Sequence, residues 1–144
     1  MKSYTDIEQS KRLAEILPFE SADMCYIKRE INDTFIETPI LKPIGCVEKS
    51  LCCWSLAALM DMLPSEFTEK GKYSETTYKI HIRKYALTTD VDLYVDLYQI
   101  AYGNYKFYED GSSSWKDMIN TGEKENLIDA AFQMICWLKE NKKI

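Results

Sequence analysis

The stretch VDLYVDLYQIAYG, residues 91–103, decides how this sequence divides into strands and helices. It contains a tandem VDLY repeat, and a period of four residues fits a helix as well as a strand. Because Val, Ile and Tyr dominate the stretch and favour strands, we predict a strand. Successive side chains of a strand point to opposite faces of the sheet. The inward side chains are then Leu93, Val95, Leu97 and Ala101, and the outward ones are Tyr94, Asp96, Tyr98 and Tyr102.

The segments on either side of this stretch also have strand patterns. In YKIHIRKY, residues 78–85, every second residue is apolar, which predicts one buried face and one solvated face. The buried set is Tyr78, Ile80 and Ile82, and the solvated set is Lys79, His81 and Arg83. Downstream, NYKFYEDG predicts a third strand that ends at Asp110-Gly111. Residues 77–109 are therefore expected to form antiparallel strands.

Three other segments are predicted to be helical. The first begins at Thr5, because Thr5 and Glu8 have the form of a capping box, and it ends before Pro18. The second covers residues 50–63 and is apolar on nearly all sides, so we expect it to be the buried central helix. The last covers residues 124–141, with a core stripe of Leu127, Ala131, Met134 and Leu138 flanked by Ile128 and Ile135.

The region between the first two helices contains β-forming residues around Asn32-Asp33, and this pattern predicts a hairpin. No flexible linker or low-complexity tract divides the sequence. The order of elements predicts a single α+β domain over residues 1–144. In that domain one small antiparallel sheet packs against about three helices, as a single pair of layers.

Composition limits the classes of function. The chain has 144 residues and a formal net charge of −5. An acidic chain is repelled by phosphate backbones, so we expect no nucleic-acid partner. The first ten residues, MKSYTDIEQS, carry no apolar segment of the kind found in signal peptides. The longest apolar run, residues 51–63, is too short to cross a bilayer. We therefore predict a cytoplasmic protein without a membrane partner, whose cysteines are thiols.

The segment GCVEKSLCCWSL, residues 45–56, holds Cys46, Cys52 and Cys53 and raises the question of a metal site. Structural zinc sites usually show paired Cys-x-x-Cys spacing, which is absent here. Adjacent residues of a helix also diverge by about 100°, so neighbouring thiols there cannot easily reach one ion. We predict no metal, and a buried position for Cys52 in a leucine-rich face. Cys136 lies on the polar side of the last helix and is expected to be the most accessible cysteine.

His81 is the single histidine, so any Cys–His pair or catalytic triad must use it. It lies on the face predicted to be solvated, where the simpler interpretation is an ordinary surface residue. The sequence pattern does not single out any pair of carboxylates as general acid and base. The glycine-rich phosphate-binding motifs are also absent. No catalytic residue and no cofactor is predicted.

The tyrosine-rich face of the predicted strand is the strongest positive signal. Exposed aromatic residues beside an acidic one are typical of protein interfaces. We predict an interaction surface formed by Tyr94, Asp96, Tyr98 and Tyr102, and Tyr105 and Tyr108 follow it in the sequence. The alternative is that a second layer of the fold covers these rings.

Two hypotheses for function follow. The first is a non-enzymatic factor of accessory, inhibitory or immunity type that acts by binding another protein. The second is a small enzyme or ligand-binding domain, with a pocket between the central helix and the sheet that contains His81 or Cys46.

Three segments also carry a resemblance to a known family: LAEILPFESADM, CWSLAALMDMLP and NLIDAAFQMICWLKEN. Together they resemble a family of small proteins of unknown function from gut-bacterial genomes, prophages and mobile elements. The resemblance covers both ends of the chain and the central helix, about half of its length, and segments 28–45 and 86–92 depart from it. It implies an α+β domain with an accessory role in phage or mobile-element biology, and it transfers no functional residue.

Overall fold

A computed structural model describes residues 2–42, 51–88 and 94–144 of the protein. The chain forms two compact units, Met1–Met62 and Leu63–Ile144. Helices and antiparallel strands both contribute, so the predicted α+β class is confirmed. The described strands form two sheets, of three and four strands, whereas one small sheet was expected. The protein is therefore richer in sheet than the sequence suggested, and the single domain over residues 1–144 stays a prediction.

The first helix, α1, spans Ile7–Ile16 in the first unit. The carboxylate of Asp6 accepts a hydrogen bond from the backbone N–H of Gln9 at 2.8 Å, and the Gln9 side chain accepts one from the N–H of Asp6 at 3.2 Å. A capping box is therefore present, but its assignment to Thr5 and Glu8 was wrong. The Thr5 hydroxyl is engaged elsewhere, because it is buried and accepts a hydrogen bond from the Trp54 N–H at 3.1 Å.

A hairpin follows the short 3₁₀ helix Phe19–Ser21. Its strands are β1, Met24–Ile31, and β2, Thr34–Leu41. The turn between them consists of Asn32 and Asp33, whose φ angles are 51° and 61°. Two successive positive φ angles are typical of the type I′ turn that matches the twist of a hairpin. The hairpin predicted around Asn32-Asp33 is confirmed.

Of the predicted central helix, the described residues 51–63 are helical only in their second half. Cys52–Cys53 form a short strand, β3, which pairs with β1, so the sheet order is β2-β1-β3. The helix α2 spans Leu56–Met62. It begins there because Ser55 caps it: the Ser55 Oγ accepts from the N–H of Ala58 at 3.2 Å. Cys52 is buried, as predicted, but in a strand and not in a helix.

The second unit is built on a four-stranded antiparallel sheet. Its strands are β4 (Glu66–Lys70), β5 (Glu75–Thr88), β6 (Tyr94–Phe107) and β7 (Ser113–Asn120), in the order β4-β5-β6-β7. The strand prediction for residues 91–103 is confirmed over the described residues 94–103, and the helical alternative is wrong there. NYKFYEDG does not form a separate strand, because β6 continues through it to Phe107. Strands β4 and β7 were not predicted.

The last helix, α3, spans Leu127–Glu140 and packs on β6. Its buried face contains Ile128, Ala130, Ala131, Met134, Ile135 and Leu138. This agrees with the predicted core stripe except at Leu127, which is half-buried. In the described parts of the chain, no helix combines the length and the apolar character that crossing a membrane requires.

Candidate functional site

The two faces of the four-stranded sheet have different surroundings within the second unit. On one face, the Phe67 ring lies 5.1 Å from the Tyr102 ring and 6.4 Å from the ring of Trp137, which belongs to α3. Side chains alternate along a strand, so residues such as Arg83, opposite Gln99, lie on the other face. We call this second face the open face. It carries the Arg83–Asp117 ion pair and a set of contacting rings.

Four rings form a contiguous line on the open face, which we call the aromatic row: His81, Trp115, Tyr105 and Phe107. The centroid of the Trp115 ring lies 4.8 Å from that of His81 and 5.2 Å from that of Tyr105, and both contacts are edge-to-face. The Tyr105 and Phe107 rings are 6.5 Å apart. Edge-to-face pairs at such distances are favourable. Tyr105 is 56% exposed and Phe107 is 80% exposed, so the outer end of the row faces solvent.

A glycine makes room for the centre of the row. The register of β6 and β7 shifts between Tyr102 and Gly103, as in a β-bulge. A Cβ atom on Gly103 would lie 2.2 Å from the carbonyl oxygen of Lys116 and 3.0 Å from Cε2 of Trp115. Only a residue without a side chain fits this close approach of the strands. Gly103 therefore allows the indole of Trp115 to lie over the backbone of β6.

An ion pair lies beside the aromatic row and joins β5 to β7. The guanidinium of Arg83 donates two hydrogen bonds to Asp117, at 2.6 Å to Oδ1 and 2.8 Å to Oδ2. Arg83 also donates to Oε1 of Gln99 at 2.8 Å, and the Tyr85 hydroxyl donates to the same oxygen at 3.2 Å. Both charged side chains are only about one-fifth exposed, 21% for Arg83 and 22% for Asp117. Two-pronged pairing of this kind fixes orientation as well as charge.

The carboxylate of Asp117 is saturated with donors. Besides Arg83, the indole N–H of Trp115 donates to Oδ1 at 2.6 Å and the amide of Asn120 donates to Oδ2 at 3.2 Å. These bonds, led by that of Arg83, lower the pKa of Asp117 to about 2, and the carboxylate in turn raises the pKa of Arg83. A carboxylate held this firmly ionised is a poor proton acceptor. Its arrangement suits the positioning of the Trp115 ring better than acid–base chemistry.

The predicted tyrosine surface is only partly exposed. Tyr94 is 77% exposed, and Asp96 is exposed and forms an ion pair with Lys84 at 3.0 Å. Tyr98 is half-buried, and the Lys84 ammonium lies 5.8 Å from the centre of its ring. These three residues are close in space along β6, but they belong to the face opposite the aromatic row.

Tyr102 does not belong to any exposed surface, so its predicted position on the solvent side was wrong. It is fully buried, and its hydroxyl donates to the carbonyl of Pro64 at 2.5 Å. Burial raises the pKa of the Tyr102 phenol. The physical reason is the covering of this part of β6 by Phe67. The opposite error occurs at Ile82, which was predicted to be buried and is 42% exposed.

Of the two residues of the alternative pocket, His81 and Cys46, the structure describes only His81. His81 is exposed on β5 and contacts Trp115 in the aromatic row. Cys46 lies outside the residues that the structure describes. Among the described residues, no group of three or more His, Cys, Asp or Glu side chains could hold a metal ion.

Sequence reasoning missed most of the aromatic row and the ion pair. Tyr105 was noted only as a continuation of the tyrosine stretch, and Trp115, Asp117 and Phe107 were not singled out. The available signal was the alternation of Tyr105 with Phe107, which places both rings on one face of a strand. Arg83 and Asp117 are 34 residues apart, and only the register of β5, β6 and β7 brings them together.

Comparison of the chain with protein-family models, with curated proteins and with solved structures found no match.

Proposed function

We propose that the protein is a non-enzymatic, cytoplasmic binding factor of accessory, inhibitory or immunity type, and that it contacts a protein partner through the aromatic row. The observation that carries this proposal is the exposed, contiguous line of rings on the open face, fixed at Trp115 by the Arg83–Asp117 pair. Large rigid rings give much contact area at a low entropic cost, and interfaces are enriched in them.

The polar groups beside the row support binding more than catalysis. Asp117 and Arg83 satisfy each other, and the Trp115 N–H is already bonded to Asp117. The row therefore presents mainly ring surface, and at its centre the indole N–H of Trp115 is already paired with Asp117. A preorganised surface of this type loses little entropy on binding. We infer a folded protein partner with a complementary apolar patch, in keeping with the accessory role that the family resemblance implies.

The proposal is tested by mutating the exposed end of the row. The partner is first identified by affinity capture from the native host, and the dissociation constant of the purified pair is then measured by calorimetry. We expect the double substitution Tyr105→Ser and Phe107→Ser to weaken binding by about 30-fold or more, as interface hot spots do. Tyr73→Ser is the matched control, because Tyr73 is 89% exposed and lies in the turn between β4 and β5.

Two further measurements make the result decisive. A thermal melt of each variant shows whether it is folded, and Phe107→Ser alone, at the most exposed ring of the row, replaces the double variant if that one unfolds. Tyr94→Ser tests the surface of Tyr94, Asp96 and Tyr98, which stays a prediction. Undiminished affinity of a folded variant of the aromatic row would refute the proposal. If only Tyr94→Ser lost affinity for the partner, the interface would lie on the surface of Tyr94, Asp96 and Tyr98.

A further inference from the structure

Two cysteines lie opposite each other on neighbouring strands of the three-stranded sheet. Cys25 of β1 is the register partner of Cys52 of β3. Directly opposed residues of antiparallel strands project to the same face of the sheet. Both residues are buried, at 2% and 4% exposure. The adjacent Cys53 points to the other face, where its thiol donates to the carbonyl of Thr5 at 3.5 Å.

The backbone hydrogen bonds define the type of this pair. The N–H of Tyr26 donates to the carbonyl of Leu51 at 2.9 Å, and these two residues are next to Cys25 and Cys52 in the ladder. Hydrogen-bonded and non-hydrogen-bonded pairs alternate along antiparallel strands, so Cys25 and Cys52 form a non-hydrogen-bonded pair. In such pairs the Cα atoms are about 4.5 Å apart and the side chains are closest. A disulfide needs Cα atoms about 4.4–6.8 Å apart.

We propose that Cys25 and Cys52 form a redox-active dithiol that closes to a cross-strand disulfide by exchange with a small-molecule disulfide of the glutathione type. One thiolate attacks the small-molecule disulfide, forms a mixed disulfide and releases one small thiol. The opposite cysteine then loses its proton and attacks the mixed disulfide, which releases the second small thiol. The protein loses two hydrogens, and the small-molecule disulfide is reduced to two thiols.

The surroundings of the cysteine pair determine when the disulfide can close. Burial slows attack, so closure requires transient opening of β3, which has only two residues. In a reducing compartment the pair stays as thiols, and an oxidising shift closes it, which is the usual pattern of cytoplasmic redox sites. Closure covalently ties the hairpin strand β1 to the segment that leads into α2. This inference is independent of the proposed protein interface.

The test uses the full chain in native buffer with oxidised glutathione, followed by non-reducing proteolysis and mass spectrometry. We expect a linked pair of peptides containing Cys25 and Cys52, with a loss of about 2 Da relative to the dithiol. Glutathione on the half-buried Cys136 reports that the reagent is active. The oxidised protein should melt about 5 °C or more above the reduced one.

Variants separate this linkage from accidental oxidation. Cys25→Ser and Cys52→Ser should each abolish the linked peptides, whereas Cys53→Ser should retain them. The peptide mapping of the wild-type protein is informative even if a variant fails to fold. As a further control, the same reaction in guanidinium should give a mixture of disulfide pairings and not the single Cys25–Cys52 pairing. The inference is overturned if native protein carries glutathione on Cys136 but no Cys25–Cys52 linkage, or if the native linkages match the denatured mixture.

Discussion

Asp117 on β7 and Arg83 on β5 form a two-pronged ion pair, with N–O distances of 2.6 and 2.8 Å, across the intervening strand β6. The pair therefore connects three strands, because β6 also contributes Gln99 to it. The same carboxylate holds the indole N–H of Trp115 at 2.6 Å. This half-buried group of side chains thus links the three strands and orients the Trp115 ring of the aromatic row.

Replacement of Asp117 by asparagine should lower the free energy of unfolding by about 1–3 kcal/mol, because hydrogen bonds to charged groups are worth more than neutral ones and Arg83 loses its counter-charge. Urea denaturation measures this change. Asp96→Asn is the control, since Asp96 pairs with Lys84 at an exposed position and should change stability by less than about 1 kcal/mol. Equal effects of the two substitutions would contradict the central position of Asp117.

The stability of the protein should fall in acid because of Asp117. Its pKa is lowered from 3.8 to about 2 in the folded state, so folding favours the ionised carboxylate. The contribution is fully present above the unfolded-state pKa and is lost as the pH falls through about 2. It amounts to less than about 2.5 kcal/mol, because solvent screens this partly exposed pair. The difference in unfolding free energy between wild type and Asp117→Asn should be constant above pH 5 and shrink towards pH 2; a difference that does not change with pH would refute this assignment.

Gly103→Ala should be strongly destabilising, by about 2 kcal/mol or more, because the new methyl group would overlap the Lys116 carbonyl and press on Trp115. Gly111→Ala is an informative comparison. Gly111 has open space around it but a φ of +82°, so alanine there should cost only about 1 kcal/mol of backbone strain. Thermal melts and tryptophan fluorescence of both variants measure the effect. A well-tolerated Gly103→Ala would mean that the strands can separate at the bulge without loss.

Local patterns in the sequence were sufficient for some elements. The Asn32-Asp33 turn could be predicted because a type I′ turn requires positive φ at both positions, and few residue types tolerate it. The last helix could be predicted because its apolar stripe is long and regular. Residues 50–63 could not be resolved in the same way. Short apolar runs are compatible with a buried strand or a buried helix, and pairing of Cys52 with Cys25 decides between them.

The candidate site depended on information that a single strand does not contain. Alternation correctly divides β6 into two faces, but it does not say which face another element covers. Tyr102 was therefore assigned to solvent, although Phe67, from the unpredicted strand β4, lies against it. The Arg83–Asp117 pair needs the register of three strands, and β7 was missed because its first residues, Ser113 and Ser114, carry no strand signal.

The contrast between Tyr102 and Tyr94 gives a direct test of how β6 is placed. Tyr102→Phe should lower the free energy of unfolding by about 1 kcal/mol, because the substitution removes the hydrogen bond of 2.5 Å from the Tyr102 hydroxyl to the half-buried carbonyl of Pro64. Tyr102→Ser also removes a buried ring and should cost about 3 kcal/mol or more. Tyr94→Ser should change stability by less than about 0.5 kcal/mol, since Tyr94 is 77% exposed. Urea denaturation of the three variants measures these differences.

Two outcomes would contradict this placement of β6. If Tyr94→Ser were as damaging as Tyr102→Ser, the exposed end of β6 would have to be part of the core, and the predicted surface around Tyr94 would be lost with it. If Tyr102→Ser were harmless, the packing of Phe67 and α3 against β6 would be wrong, and the face opposite them could no longer be taken as the exposed one.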